Sequence, residues 1–231
     1  MSSMKMKCKI MDFDEVYDLV KKLSEQIKVS GYKPDTIIGL ARGGWVPARL
    51  LCDFLGITDL ISLKVEHWIQ TGKTKDEASI KYPLSVDLSE KKVLIVDDIT
   101  DTGKSLISSV GYLKDFHPKD VHVACMQYIP ASKYKPDYFA DTIKVWAWFI
   151  YPWNWIEDGS TLVVRLLSAQ KDLKRSLGEI EKGLKENFDI KWKKNMLKYI
   201  LSVMEERGQI QSFKEADGVK YKIKEEKVIQ L

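Results

Sequence analysis

The sequence predicts an α/β protein built around a parallel sheet flanked by helices. Segments with a strand pattern alternate with segments of helical spacing through the first two thirds of the 231 residues. The strand-like segments are short, apolar and rich in β-branched residues, which is typical of strands buried on both faces. Glycines and polar residues follow these apolar runs, at the positions where an α/β sheet binds its ligands.

The elements can be placed in order along the chain. The first helix covers residues 14–28, where apolar side chains recur at helical spacing, and Gly31 ends it. The loop of residues 70–87 is polar and has no period, and loops of that length in a compact domain are typically functional or mobile. The predicted strands are residues 36–40, 61–66, 93–96, 121–128 and 143–148, and the helices between them are residues 47–55 and 103–116.

Composition indicates a folded chain with no membrane partner. Hydrophobic residues make up 45% of the chain and charged residues 30%, which is ordinary for a globular protein. No apolar run approaches the ~20 residues that span a bilayer, and the N-terminus lacks the apolar core of a secretory signal. Cys8, Cys52 and Cys125 are odd in number and lack metal-ligand spacing, so we expect a cytoplasmic protein with reduced cysteines.

Residues 93–106, with the sequence VLIVDDITDTGKSL, are the most informative part of the chain. A buried strand leads into the paired acids Asp97 and Asp98, and a Thr-Gly-Lys-Ser turn then opens a helix. Such a turn offers N–H groups, hydroxyls and the positive end of a helix dipole to a phosphate. Sugar hydroxyls can donate hydrogen bonds to the two carboxylates. The motif therefore predicts a sugar phosphate, with a divalent cation screening its charge. A P-loop is excluded because it needs a glycine at position 98.

This stretch resembles the phosphoribosyl-pyrophosphate (PRPP) motif of type I phosphoribosyltransferases. The resemblance implies a parallel five-stranded type I phosphoribosyltransferase sheet flanked by helices. It also implies that Asp97 and Asp98 bind the ribose hydroxyls, that Asp98 reaches Mg²⁺, and that Asp101 is the catalytic residue that handles the proton on the imidazole ring of the base. The 5′-phosphate would lie against Asp101, Thr102, Gly103, Lys104 and Ser105.

A second loop, residues 39–48 with the sequence GLARGGWVPA, follows the first strand of the sheet. Its glycines allow the backbone to approach a ligand, and Arg42 can contact phosphate with two nitrogens. Arg-Gly-Gly alone is more often a simple turn. The segment is similar to the family's pyrophosphate loop, which implies that Ala41, Arg42 and Gly43 bind pyrophosphate, that Arg42 is catalytic, and that the Ala41–Arg42 peptide bond is cis. Lys73 and Lys75 are expected to sit in a loop that closes over PRPP.

An aromatic segment, residues 146–155 with the sequence WAWFIYPWNW, resembles the Trp-Ile-x-x-Pro-Trp-Asp stretch of 6-oxopurine phosphoribosyltransferases. The resemblance implies that Trp148 stacks on a purine and that Phe149 offers main-chain atoms to it. The alternative is that these aromatic side chains only fill a core. Asn154 stands where that branch has an acid, which puts any charged role there in doubt.

Ile129 departs from the pattern of the 6-oxopurine branch, whose enzymes have a lysine at this place that donates to the purine O6. A buried acceptor facing Ile129 would lose a hydrogen bond, whereas adenine presents an amino donor there. The sequence therefore favours adenine as the base and AMP as the product. The alternative is a hypoxanthine, guanine or xanthine phosphoribosyltransferase in which Lys133 takes the vacant place.

The last third of the chain has a different pattern. Helices are predicted at residues 160–170, 173–185 and 191–206, each with an apolar stripe, and a hairpin turns at Asp217-Gly218. Ser176 and Glu179 have the spacing of a capping box. We predict a phosphoribosyltransferase domain at residues 1–157 and, at residues 158–231, a three-helix bundle with a possible short hairpin.

Three helices and a hairpin also resemble a winged helix, so two interpretations of this segment remain open. Residues 165–231 carry 16 Lys and Arg against 11 Asp and Glu, mostly interleaved along helical faces, which favours a solvated surface. We therefore expect a helical cap, a homodimer, Mg²⁺ as cofactor, PRPP and a purine as substrates, and no nucleic acid partner. The alternative of another class is a PRPP- or purine-sensing DNA-binding regulator.

Overall fold

The computed structural model describes residues 5–67, 78–170 and 172–224. Its helices are α1 (Phe13–Ser30), α2 (Trp45–Leu55), α3 (Lys104–Leu113), α4 (Trp155–Ser168), α5 (Leu177–Phe188) and α6 (Lys194–Glu206). Its strands are β1 (Cys8–Ile10), β2 (Thr36–Ala41), β3 (Leu60–His67), β4 (Ala78–Ile80), β5 (Lys92–Thr100), β6 (Asp120–Tyr128), β7 (Tyr138–Thr142), β8 (Trp148–Ile150), β9 (Arg175–Ser176), β10 (Ile210–Glu215) and β11 (Gly218–Ile223).

The chain packs as two compact units, Phe13–Val145 and a second that joins Met1–Asp12 to Trp146–Leu231. In the second unit β1 and β8 pair in parallel, with Cys8 opposite Trp148 and Ile10 opposite Ile150. This pairing divides the packing units after Val145, because the N-terminal strand and the aromatic segment share one small sheet. The predicted domain boundary between residues 157 and 158 stays a prediction.

The sheet of the first unit has the strand order β4-β3-β2-β5-β6-β7. Strands β3, β2, β5, β6 and β7 are parallel, which confirms the predicted five-stranded parallel sheet, and β4 adds an antiparallel edge strand. Strand β5 lies centrally, with Val96 opposite Gly39 of β2 and opposite Ala124 of β6. Apolar residues of β2, β3, β5, β6 and α3 form a buried cluster: Ile38, Leu40, Leu63, Leu88, Val93, Ile95, Leu106, Leu113, Val123 and Cys125.

The sequence analysis missed β4, which lies within the predicted loop of residues 70–87, and it misplaced the fifth parallel strand. That fifth strand was predicted at residues 143–148, whereas β7 covers Tyr138–Thr142, with Tyr138 opposite Ala124. An edge strand buries only part of its surface, so its mixed sequence YFADT lacks the continuous apolar run that marks the central strands. The apolar residues that follow lead instead into β8.

The second unit contains three helices and a three-stranded antiparallel sheet in the order β10-β11-β9. The predicted hairpin is confirmed, with Glu215 opposite Gly218 across a two-residue turn. The apolar stripes of the helices bury against one another, together with residues from β1, β8 and β10. The buried cluster contains Cys8, Ile150, Leu162, Val163, Leu166, Leu167, Ile180, Leu184, Phe188, Ile190, Trp192, Leu197, Ile200, Leu201, Met204 and Ile210.

The starts of these three helices differ from the predicted ones for local reasons. Helix α4 begins at Trp155, directly after a single turn of 3-10 helix opened by Pro152. Helix α5 begins at Leu177 because Ser176 and Glu179 form the predicted capping box. Helix α6 begins at Lys194, after a non-helical segment at residues 189–193. No helix in the described ranges is long and apolar enough to cross a membrane.

Candidate active site

The predicted phosphate-binding turn lines a pocket at the C-terminal end of β5. The pocket has a volume of about 180 Å³ and is lined by Asp97, Ile99, Thr100, Asp101, Thr102, Gly103, Ser105 and Leu106. Strand β5 extends to Thr100 rather than to the predicted Val96, because its pairing with β6 continues to Thr100 opposite Tyr128. The structure therefore places Asp97 and Asp98 within the last part of the strand, where its backbone holds them.

The paired acids are held by their own backbone. The N–H of Asp98 donates to Asp97 Oδ1 at 3.0 Å, and the N–H of Ile99 donates to Asp98 Oδ1 at 2.8 Å. Burial away from water, followed by the neighbouring charge of Asp98, raises the pKa of the Asp97 carboxyl well above its usual range. A carboxyl that is costly to ionise, with a second carboxyl beside it, is suited to a partner that donates hydrogen bonds or carries positive charge.

The glycine loop after β2 lies directly against these acids. A Cβ on Gly43 would overlap the Asp98 carboxyl, 2.5 Å from its Cγ, and a Cβ on Gly44 would lie 2.8 Å from both the N and O atoms of Leu40. The Ala41–Arg42 peptide bond is cis, as the resemblance implies. Arg42 follows on the exposed side of the loop. Only residues without a side chain fit here, so the backbone of the predicted pyrophosphate loop comes close to the predicted ribose site.

Gly103 shapes the turn at residues 100–105, before and at the start of α3, which is the predicted phosphate-binding turn and is called the phosphate-type turn below. Its φ is +78°, and a Cβ there would lie 2.6 Å from Ser132 Oγ and 2.7 Å from the Tyr134 nitrogen. Helix α3 has no acid in its first turn, and its N-cap residue Gly103 makes no side-chain hydrogen bond to the first N–H groups. Thr102 Oγ1 accepts a 3.4 Å hydrogen bond from the N–H of Lys104. The arrangement suits an anion.

The segment after β6 packs against the phosphate-type turn, which the sequence analysis did not foresee. The Ile129 N–H donates to the Thr100 carbonyl at 3.1 Å, and the Lys133 N–H donates to the Thr102 carbonyl at 3.2 Å. Ile129 is buried, while Lys133 is exposed. The sequence contains no signal for these contacts beyond the small residues of the segment, because both bonds use main-chain atoms.

Ile129 is buried, and its main chain is already hydrogen-bonded. Its carbonyl accepts from the Ser132 N–H at 2.9 Å, and the Tyr128 carbonyl accepts from the Ile143 N–H at 2.8 Å. An adenine amino group would need a hydrogen-bond acceptor in this part of the site, and each of these two carbonyls already has one donor. A carbonyl can take a second hydrogen bond, but neither is a free acceptor.

Trp148 and Phe149 belong to the second unit, so their role at the base stays a prediction. Trp148 is 46% exposed and lines a pocket of about 250 Å³ together with Asp158 and Arg165. Its indole N–H donates to the Asp158 carboxylate, and burial raises the pKa of Asp158 to about 6. The three cysteines are buried and free, which agrees with packing roles. Lys73 and Lys75 lie outside the described residues.

Comparison with known proteins decides the family. The model of the phosphoribosyl transferase domain matches residues 10–158, which is more than half of the chain. This range contains the glycine loop, β5 with its paired acids, and the phosphate-type turn. The chain belongs to the phosphoribosyl transferase family.

Phosphoribosyltransferases of known structure and sequence resemble this chain over part of its length. A purine phosphoribosyltransferase from Pyrococcus horikoshii is 33% identical, covers 64% of this chain and 94% of its own, and superposes with a TM-score of 0.57. A xanthine-guanine phosphoribosyltransferase from Cereibacter sphaeroides is 27% identical over 55% of this chain and 76% of its own. A hypoxanthine-guanine phosphoribosyltransferase from Saccharomyces cerevisiae is 29% identical over 42% of this chain and 50% of its own.

The donor set of the pocket fits Mg²⁺ better than a softer metal. The described residues contain no group of three or more His, Cys, Asp and Glu side chains that could hold a metal alone. Mg²⁺ is usually held by one or two carboxylates together with substrate phosphates. Asp98, next to the loop predicted to bind pyrophosphate, has the right chemistry for that arrangement.

Proposed function

We propose that this phosphoribosyl transferase moves the 5-phosphoribosyl group of PRPP to a purine base and releases pyrophosphate. The observation that supports this most directly is the pocket at the end of β5, where paired carboxylates meet an anion-type turn. Gly43 of the second loop lies against one of those carboxylates. One ligand that carries a sugar diol and two separate phosphate groups satisfies all three features.

The sugar and its 5′-phosphate are assigned to the pocket itself. Asp97 and Asp98 accept hydrogen bonds from the ribose hydroxyls. The 5′-phosphate lies at the start of α3, against the N–H groups and side chains of residues 101–105. The positive end of the α3 dipole favours this charge, and no acid of the first turn opposes it.

Catalysis in this proposal comes from positioning and charge balance. The main chain of Ala41 and Gly43 and the guanidinium of Arg42 hold the pyrophosphate as it leaves. Mg²⁺, when bound by Asp98 and the substrate, neutralises charge on the leaving group. The sugar carbon develops oxocarbenium character, and Asp101, exposed at the pocket, takes the proton from the imidazole ring of the base.

For the base we propose a 6-oxopurine rather than adenine. The relatives are named as xanthine-guanine and hypoxanthine-guanine enzymes, so the comparisons support the alternative interpretation of the sequence over adenine. The main-chain carbonyls of Tyr128 and Ile129, two candidate acceptors for an adenine amino group, already have donors. Lys133, anchored through its N–H to Thr102, is the candidate donor to O6. Adenine stays the second candidate because the buried Ile129 replaces the expected lysine.

The base is tested by a panel assay with PRPP, Mg²⁺ and adenine, hypoxanthine, guanine, xanthine, uracil or orotate. We expect a 6-oxopurine to be preferred over adenine by at least about tenfold, since one lost buried hydrogen bond costs ~1–3 kcal/mol. Preference for adenine would restore the interpretation based on Ile129. Absence of any nucleotide product would contradict the enzymatic proposal and favour a non-catalytic PRPP- or purine-binding protein.

Lys133 is tested by Lys133→Ala, which should raise KM for the preferred 6-oxopurine about tenfold or more, with little effect on KM for PRPP. Lys135→Ala is the matched control, because Lys135 is close in sequence and its Nζ lies over the Phe139 ring at 5.9 Å. Equal effects of the two substitutions would assign the loss to the general charge of the segment.

The ribose site is tested by combining Asp97→Ala with Asp98→Ala. Calorimetry should show that the double variant loses PRPP affinity, because the ribose hydroxyls lose both acceptors, while circular dichroism shows an unchanged fold. Unchanged PRPP affinity would refute this assignment without affecting the assignment of the base.

A further inference from the structure

The unit that the family model does not explain has a complete and ordered topology. From Trp155 onward its elements follow in the order α4, β9, α5, α6, β10 and β11, and β9 pairs with β11 to complete a three-stranded sheet. A two-residue strand such as β9 is too short to be predicted from the pattern of the sequence. Its presence turns three helices and a hairpin into the full winged helix-turn-helix arrangement, in which α6 holds the position of the helix that reads DNA.

Local packing presents one face of α6 and its leading turn to solvent. Ile190 and Trp192 are buried, so Lys191 and Lys193 between and after them point outward. Within α6 the buried positions are Leu197, Ile200, Leu201 and Met204. The α6 face is the set of exposed residues that this pattern leaves up to residue 202: Lys191, Lys193, Lys194, Asn195, Lys198, Tyr199 and Ser202. Two exposed acids, Glu205 and Glu206, follow at the end of the helix.

The charge on the α6 face is not compensated by the protein. No Asp or Glu occurs between residues 190 and 204. Within the described ranges Lys193, Lys194 and Lys198 have no ion-pair partner, and Lys191 has only Glu181 at 3.9 Å. Helix α6 also has no acid in its first turn and no side-chain cap, although lysines at the positive end of a helix dipole are unfavourable.

Several lysines elsewhere in the same unit form ion pairs. Lys174 lies 2.8 Å from Glu215, Lys220 lies 2.9 Å from Glu215, and Lys222 lies 3.2 Å from Asp172. A merely solvated surface would interleave acids and bases on α6 as it does on these neighbours. The α6 face lacks such interleaved acids, so its positive charge is suited to an anionic partner from outside the chain.

The hairpin is fixed relative to this face. The Ser212 N–H donates to Glu205 Oε1 at 3.1 Å, which ties β10 to the end of α6. Lys174 Nζ lies 4.2 Å from the centre of the Phe213 ring, which ties the start of β9 to the same strand. A helix face and a hairpin held in one rigid frame match the shape of a duplex, in which the major groove admits one helix and the backbone lies beside it.

We propose that the α6 face binds double-stranded DNA through the major groove. Lys193, Lys194 and Lys198 contact phosphates, and Asn195, Tyr199 and Ser202, which can exchange hydrogen bonds with base edges, face the groove. This function is separate from phosphoribosyl transfer and does not depend on it. It also departs from our expectation of no nucleic acid partner, which rested on the average charge of the segment rather than on its placement.

The test uses the full chain and a labelled duplex of about 30 base pairs of mixed sequence, long enough for two half-sites ~10 base pairs apart. Binding is followed by fluorescence anisotropy between about 50 and 200 mM salt. The triple variant Lys193→Gln, Lys194→Gln, Lys198→Gln should bind at least tenfold more weakly. Its slope of log K against log salt concentration should be shallower by about 2–3, because each phosphate contact contributes ~0.9.

The control removes two ion-paired lysines of the same unit that lie outside α6 and the hairpin, with Lys182→Gln and Lys185→Gln. It should bind within twofold of the wild type, and both variants should keep the wild-type melting temperature and phosphoribosyltransferase rate. Equal losses in the two variants would overturn the assignment to α6. Absence of binding at the lowest salt, or tighter binding to single-stranded DNA or RNA of the same length, would overturn the proposal of duplex DNA.

Discussion

Asp97 links the stability of the protein to its ligand. Its carboxyl is placed by the backbone of β5 next to Asp98, and burial makes the charged form costly. The ionised Asp97 carboxylate, which is unfavourable in the empty pocket, becomes favourable once sugar hydroxyls donate hydrogen bonds to it. Binding energy at such a site is therefore partly relief of a cost already present in the fold.

This cost predicts a pH-dependent effect of Asp97→Asn on the ligand-free protein. The folded pKa is raised, so ionisation destabilises the fold, and the penalty grows as the pH rises above the unfolded value of about 3.9. The variant should melt at a higher temperature than the wild type at pH 8, with a difference that shrinks toward pH 4. Thermal melts across this range check the prediction.

Asp101→Asn is the control for that series, because Asp101 is an exposed acid of the same pocket. It should change the melting temperature little at any of these pH values. A stabilisation by Asp101→Asn equal to that of Asp97→Asn would show that net charge, rather than burial of Asp97, causes the effect.

At the scale of elements, two turns at the ends of parallel strands create the candidate site. The turn after β2 brings Gly43 onto Asp98, and the turn after β5 opens α3 through Gly103. Both turns are held by main-chain hydrogen bonds, such as the one from the Gly44 N–H to the Leu40 carbonyl at 2.8 Å. The strands thus fix where the candidate ligand-binding residues lie, and the glycines determine how closely the backbone can approach them.

Gly103→Ala should therefore damage both stability and PRPP binding. A residue with a Cβ at φ +78° costs ~1–2 kcal/mol, and this Cβ would also meet Ser132 and Tyr134. Gly111→Ala is the matched control in the same helix, since a Cβ there meets nothing within 4 Å. It should stabilise α3 by ~0.5–1 kcal/mol. Chemical denaturation of both variants measures the two effects, and a neutral Gly103→Ala would contradict the close packing of the turn.

At the scale of the whole molecule, the second unit is assembled from both ends of the chain. Cys8 of β1 and Ile150 of β8 are buried in the same cluster as the stripes of α4, α5 and α6. Residues 10–158, which the family model covers, thus contribute Ile150 to a hydrophobic core whose other buried side chains come from outside that range. This explains why the packing units and the predicted domains have different boundaries.

Truncation after Asp158 should consequently lower solubility. It removes most of α4 and all of α5 and α6, so Cys8 and Ile150 lose the side chains that bury them. Light scattering after size-exclusion chromatography should show aggregates. A milder truncation after Gly208, which keeps the three helices, should aggregate less. A monodisperse protein ending at Asp158 with unchanged kinetics would show that the segment is independent of the rest.

The sequence by itself determined the parallel α/β sheet, the paired acids and the phosphate-type turn, whereas the cis bond before Arg42 was expected only from the resemblance to the family's pyrophosphate loop. These features depend on local patterns, namely apolar runs, glycines and residues adjacent in the chain. The capping box at Ser176 and the hairpin at residue 217 were predictable for the same reason.

Only the tertiary structure decided where distant segments meet. The contact of Gly43 with Asp98, the bond from Lys133 to Thr102 and the pairing of β9 with β11 join residues far apart in the chain. Main-chain hydrogen bonds and edge strands leave little trace in side-chain patterns, because any residue can supply the backbone atoms. For the same reason the sequence pattern did not predict the position of β7 or the pairing of β9 that completes the arrangement around α6. The lysines of α6 that lack ion-pair partners can be recognised only once the neighbouring side chains are known.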